Sequence, residues 1–333
     1  MCQDCVTGTL RDDVTPTGVE EVVHNLHTYV AHPDPGIKPI GTVVILPDAF
    51  GWTLCNTRLL ADNYAKRVPC TVYVPEFMNG MDPRPPKTRQ PWPATASLPR
   101  PPILSTPLII PSKPGHAVPE AFLSMSEAKP SPTANILTRT FQKTLTTLSI
   151  LPQMVSFLCH NRQGVAQPRI QAFLTALRAA SPTTPLGVAG FCWGGLHAIL
   201  LTHDAPQNST TLPDGTARPL IDCAFTAHPS MLSLPGHVQD VVRPLSVANG
   251  DEDEYLPKEK MGVLVEILEG KEKASGEEGR YEAVSYPGAR HGFAVRGNWA
   301  DEKQRERAKK CEDQAVEWFK RWFGEGGTGE GEA

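Results

Sequence analysis

No apolar run in this sequence approaches the roughly 18 residues needed to cross a bilayer, and the opening Met1-Cys2-Gln3-Asp4 lacks the charged and then apolar pattern of a secretory signal. Both absences point to a cytoplasmic protein with no membrane partner. There is no polybasic stretch either. With 32 Lys and Arg against 36 Asp and Glu, the formal charge is -4, which argues against nucleic acid as a partner, because phosphate backbones demand a basic face. Cysteine is too sparse for a disulfide framework: 8 residues spread over 333 fit reduced, buried or reactive thiols. The pair in Cys2-Gln3-Asp4-Cys5 has no second pair to complete a zinc site, although it has the spacing of a reversible redox pair. Asp251-Glu252-Asp253 begins like a calcium loop, but Tyr255 and Leu256 stand where a ligand and a glycine belong. No metal and no cofactor are expected.

Proline, in contrast, is abundant. Of 33 prolines, 14 fall between Pro83 and Pro132, where each ring fixes φ and removes a backbone donor. The reading is a single domain over 1–323, interrupted by an inserted proline-rich loop or lid at 81–134, with a disordered Gly/Glu tail at 324–333. The remainder alternates short β-like runs with helical patterns, which predicts an α/β fold with a mainly parallel sheet flanked by helices. Strands are expected at 22–29, 42–46, 71–74, 186–189, 221–226, 245–248 and 281–285, and helices at 56–67, 167–179, 195–201 and 257–269. A last helix carries Cys311, Ala315, Trp318, Phe319 and Trp322 on one stripe and should dock on the sheet.

Chemistry enters at Gly190-Phe191-Cys192-Trp193-Gly194-Gly195, placed between a strand and a helix. This pattern fits a nucleophile elbow with cysteine in the place of serine: the turn exposes the side chain and tolerates only glycine two positions to either side. The following helix N-terminus favours thiolate over thiol. A buried core cysteine between packing glycines is the competing reading of the elbow taken alone. Further along, Asp251 follows the strand at 245–248 and His291 follows the strand at 281–285, so nucleophile, acid and histidine occur in the order found in α/β hydrolases, each after a strand. His197, one helical turn beyond the elbow, should pack behind it.

These segments, with Cys2 to Cys5, Pro16-Thr17-Gly18, Leu46 to Trp52, Thr226-Ala227-His228-Pro229-Ser230 and His291-Gly292-Phe293, resemble the dienelactone hydrolase family, especially its fungal members, within the α/β-hydrolase superfamily. The resemblance implies Cys192 as nucleophile, His291 as general base and later acid, Asp251 as the orienting acid, and an oxyanion hole made by the main chains of Ala49 and Trp193. Asp48 stands where bacterial members carry a glutamate that pairs with the resting thiol. Candidate substrate contacts are Asp48, Phe50, Trp52, His228, Arg290 and Arg296, and neither arginine matches cleanly the family's carboxylate-binding positions. The activity implied is hydrolysis of small esters or lactones, carboxymethylenebutenolidase-like, through an acyl-thioester, by a monomer or homodimer. The alternatives are a silent hydrolase fold used for binding or redox sensing, and a thiol acyltransferase.

Overall fold

The computed structural model describes residues 14–78, 155–212 and 214–324. The proline-rich segment, the Cys2/Cys5 pair and the Gly/Glu tail beyond Gly324 lie outside the described residues. The strands are β1 (Val19–Val23), β2 (Leu26–Ala31), β3 (Thr42–Leu46), β4 (Thr71–Pro75), β5 (Leu186–Phe191), β6 (Ser209–Thr211), β7 (Ala217–Pro219), β8 (Cys223–Ala227), β9 (Leu245–Gly250) and β10 (Tyr281–Tyr286). The helices are α1 (Cys55–Arg67), α2 (Gln163–Ala180), α3 (Trp193–Leu201), α4 (Gly236–Gln239), α5 (Lys258–Ser275), α6 (Phe293–Arg296) and α7 (Glu302–Gly324). Among the described residues no helix is long and apolar enough to cross a membrane.

Eight strands form one sheet in the order β1-β2-β4-β3-β5-β8-β9-β10. Pairing is parallel from β4 to β10, and antiparallel only for β1 with β2 and β2 with β4. Residues 43–46 of β3 and all of β5, β8 and β9 are buried, as expected for parallel strands covered on both faces. The single strand expected at 22–29 is instead two strands. His24 and Asn25 both take positive φ, 48° and 70°, and fold the chain into a tight hairpin there. A string of β-formers does not advertise such a turn, because asparagine in its middle is the only cue. A second small hairpin of β6 and β7 also went unread in the sequence.

The last helix docks as its stripe predicts. Cys311, Ala315, Trp318 and Phe319 are buried, and Phe319 lies against Gly187 of β5 so closely that a Cβ there would stand 2.6 Å from its ring. The chain runs from β3 outward to β4 and then returns to place β5 on the other side of β3. The strand order therefore reverses between β3 and β5, and their C-terminal ends mark the switch point where open α/β sheets put their ligands.

Candidate active site

Cys192 follows β5 directly and caps α3 with φ 52° and ψ −111°, a left-handed conformation that a cysteine adopts only under constraint. The constraint is steric. A Cβ on Gly190 would overlap the carbonyl of Gly194, and one on Gly194 would overlap the carbonyl oxygen of Leu46 at the end of β3. The two glycines thus let the turn close and let the first turn of α3 lie against the loop after β3, where Asp48 and Ala49 sit. The Trp193 side chain turns away: its indole donates to the Asn161 carbonyl at 2.9 Å and its ring packs on His197 at 4.5 Å. His197 does pack behind the elbow, buried and bonded to Gln167, and burial depresses its pKa to about 3.

His291 lies in the loop after β10, 4 % exposed, with the ring held between Tyr255 at 4.7 Å and His228 at 5.0 Å. Its Nδ1 is 2.9 Å from a carboxylate oxygen, and that oxygen belongs to Asp253. Here the sequence expectation of Asp251 is corrected. The Asp251 carboxylate accepts from the Gly288 main chain at 2.6 Å and pairs with Lys258 at 3.1 Å, and these partners hold its pKa below the usual carboxylate range. It ties the loop after β9 to the loop that carries His291.

Asp253, two residues on, is turned inward by a tight turn that its own amide closes onto the Gly250 carbonyl. Its second oxygen accepts from the main chains of Tyr255 and Leu256, at 2.8 and 3.3 Å, and the carboxylate is fully buried. Asn249 braces the same loop by donating to the Gly250 and Leu256 carbonyls. The available cue was the aspartate whose side chain satisfies the amides two and three residues later, a turn motif that proximity to the strand end outweighed.

Burial disfavours a charge on His291, but the Cys192 sulfur and the Asp253 carboxylate outweigh it and push the pKa up to about 10. The Cys192 sulfur also lies 3.7 Å from the Ser230 hydroxyl, to which the thiol can donate.

The remaining candidates separate into two groups. Asp48 is buried and paired with Arg296 at 2.8 Å, while the Arg296 guanidinium lies 5.1 Å above the Phe50 ring. Burial raises the Asp48 pKa, Arg296 pulls it back, and the nearby Cys192 sulfur raises it again. Asp48, Phe50 and Arg296 thus form one unit near the sulfur, while His228 packs edge-on to His291. Trp52 packs instead on His27 and Arg58, and Arg290 is largely exposed and bonded to Glu252. Two open grooves, of about 270 Å³ beside β10 and α7 and about 600 Å³ beside α5, contain none of Cys192, Asp253 or His291. Cys192, Asp253 and His291 are all buried.

Comparison with known proteins agrees with this architecture. The chain is 29% identical over 159 residues to the hydrolase tropI of Talaromyces stipitatus, covering 47% of this chain and 54% of the relative. It is 23% identical over 171 residues to the hydrolase pyvD of Aspergillus violaceofuscus, covering 51% and 61%. The chain thus spans only about half to three fifths of the length of these curated relatives. A putative dienelactone hydrolase from Klebsiella pneumoniae superposes with a TM-score of 0.54 at 16% identity, covering 91% of this chain and 98% of that one. Esterase 2 of Thermogutta terrifontis, with propionate bound, superposes at 0.51 and 14% identity, covering 92% and 97%. At such identities these likenesses establish the α/β-hydrolase fold alone. The family model of the dienelactone hydrolases matches residues 134–323, more than half of the sequence, and the chain belongs to the dienelactone hydrolase family.

Proposed function

We propose that this protein hydrolyses small esters or lactones through a Cys192 thioester, with His291 as base and acid and Asp253 as the orienting carboxylate. The observation that carries the reading is the His291 imidazole, bonded to buried Asp253 on one side and charge-coupled to the Cys192 sulfur on the other.

The thiolate attacks the substrate carbonyl and the developing oxyanion is taken up by main-chain donors of Ala49 and Trp193. Support for that pair comes from the contact of Gly194 with Leu46 and Pro47, which brings the two loops together. His291 then gives its proton to the leaving alkoxide and activates water to cleave the thioester. With a lactone the alkoxide stays tethered, so ring closure competes with water. Asp48 and Arg296 neutralise each other beside the sulfur, which favours uncharged acyl groups over carboxylate-bearing ones. No metal or redox step is needed for this chemistry.

The test compares wild type with Cys192→Ala on p-nitrophenyl acetate and on a small lactone. Equal rates in the two proteins would refute the reading, and a trapped acyl mass on the peptide carrying Cys192 would support it.

A further inference from the structure

The sheet register places His228 beside the reactive cysteine. β5 and β8 run parallel with Gly190 opposite Thr226 and Phe191 opposite Ala227, so the next residues in line are Cys192 and His228. The Cys192 amide donates to the Ala227 carbonyl at 3.3 Å, and the His228 amide donates to the Ala248 carbonyl at 2.8 Å. His228 itself adopts φ 42°, a left-handed conformation that a side chain of this size takes at a cost. Its imidazole is completely buried, edge-on to His291 at 5.0 Å and to Phe293 at 5.8 Å.

Among the described residues neither ring nitrogen of His228 has a hydrogen-bond partner. Buried polar atoms are nearly always paired, and a buried imidazole with both nitrogens unpaired needs a reason. Cys192 is itself only 4 % exposed, so whatever reaches its sulfur enters the same enclosure as His228. Burial, and then the neighbouring His291, depress the His228 pKa to about 3, so this ring stays neutral where His291 carries a proton. Two adjacent histidines with oppositely shifted pKa values can divide the work: one moves protons and the other only accepts a hydrogen bond.

We propose that His228 orients the water that cleaves the Cys192 thioester, holding it by one O–H while His291 removes the proton of the other. The ring centroids lie 5.0 Å apart, and one oxygen making two hydrogen bonds of about 2.8 Å can join nitrogens up to about 5.6 Å apart. The water oxygen forms a bond to the thioester carbonyl carbon as its proton passes to His291. The tetrahedral intermediate then collapses with cleavage of the C–S bond, and the bonding pair returns to sulfur. A carboxylic acid leaves, and the thiolate remains paired with the protonated His291. His228 exchanges no proton in the cycle.

This inference rests on the thioester reading, and its signature is confined to the second half of the reaction. In a two-step scheme kcat/KM reports acylation alone, whereas slow deacylation lowers kcat and KM together. With p-nitrophenyl acetate, His228→Phe should lower kcat roughly tenfold to a hundredfold, lower KM by the same factor and leave kcat/KM within about threefold of wild type. The p-nitrophenol burst should persist and acetyl-Cys192 should accumulate in intact mass spectra. His228→Gln, which restores an acceptor, should recover most of kcat, and melting curves would confirm that both variants fold. An unchanged kcat in His228→Phe, or an equal fall of kcat and kcat/KM, would overturn the role. Equal wild-type and Cys192→Ala rates would instead remove the thioester itself, a distinct failure.

Discussion

Replacing Asp253 by asparagine tests the reassigned carboxylate directly. One oxygen of Asp253 is committed to two main-chain donors, Tyr255 and Leu256, and the other faces His291 Nδ1 at 2.9 Å. In Asp253→Asn the amide oxygen stays on the two main-chain donors, because turning it away would leave both buried N–H groups opposed to an NH₂ group. The NH₂ then points at Nδ1 and forces the imidazole to carry its proton on the nitrogen that faces sulfur. A ring in that tautomer cannot accept the thiol proton, and such a substitution in a triad costs on the order of 10⁴ in kcat, or about 5 kcal/mol. Asp251→Asn behaves otherwise. Its amide oxygen still accepts from Gly288 and only the Lys258 pair is lost, a partly exposed contact worth about 1 kcal/mol at most. Its kcat should stay within about tenfold of wild type. Measured side by side on one chromogenic ester with melting temperatures recorded, equal losses in the two variants would refute the assignment, as would near-normal turnover in Asp253→Asn.

Thiol labelling gives a second check. A small alkylating reagent at neutral pH should modify Cys192 rapidly but spare Cys70, Cys223 and Cys311, whose pKa values burial pushes up, and His291→Ala should slow Cys192 labelling while abolishing turnover. Arg296→Leu leaves the buried Asp48 carboxylate without its cation, holding only the Phe50 amide among the bonds described, so it should destabilise the protein by about 3 to 5 kcal/mol in denaturant titrations. Adding Asp48→Asn should restore much of that loss. Acid stability follows from His197 and His228, both depressed to about 3 in the fold. The unfolded chain takes up these protons below about pH 6.5 and the folded chain does not, so stability should fall as pH drops from about 6.5 towards 3, by up to about 1.4 kcal/mol per pH unit for each histidine. His291 has the opposite sign. Its raised pKa stabilises the fold fully below about 6.5 and ceases to do so as pH climbs towards 10. Urea midpoints of wild type and His197→Asn across pH 4 to 7 would show a shallower acid slope in the variant, and identical slopes would contradict it.

Much of the architecture was legible along the chain. Because burial on a parallel sheet imposes unbroken apolar runs, strand and helix periodicity located the strands from β3 to β10 to within a few residues, apart from the β6–β7 hairpin, and found the longer helices, although α5 continues to Ser275, past its expected end at 269. Gly190 and Gly194 marked the elbow, because no other residue lets that turn close. What one dimension withheld were choices between near neighbours. Asp251 and Asp253 both follow β9, and only the turn at Gly250 decides which carboxylate swings inward to the imidazole. Arg290 and Arg296 both flank the histidine, and the short helix α6 carries one of them back onto Asp48 while the other stays at the surface. A residue's type and order determine which chemistry is available, but a two-residue shift in a loop reverses the direction a side chain points, and that direction is fixed by main-chain hydrogen bonds to segments distant in sequence.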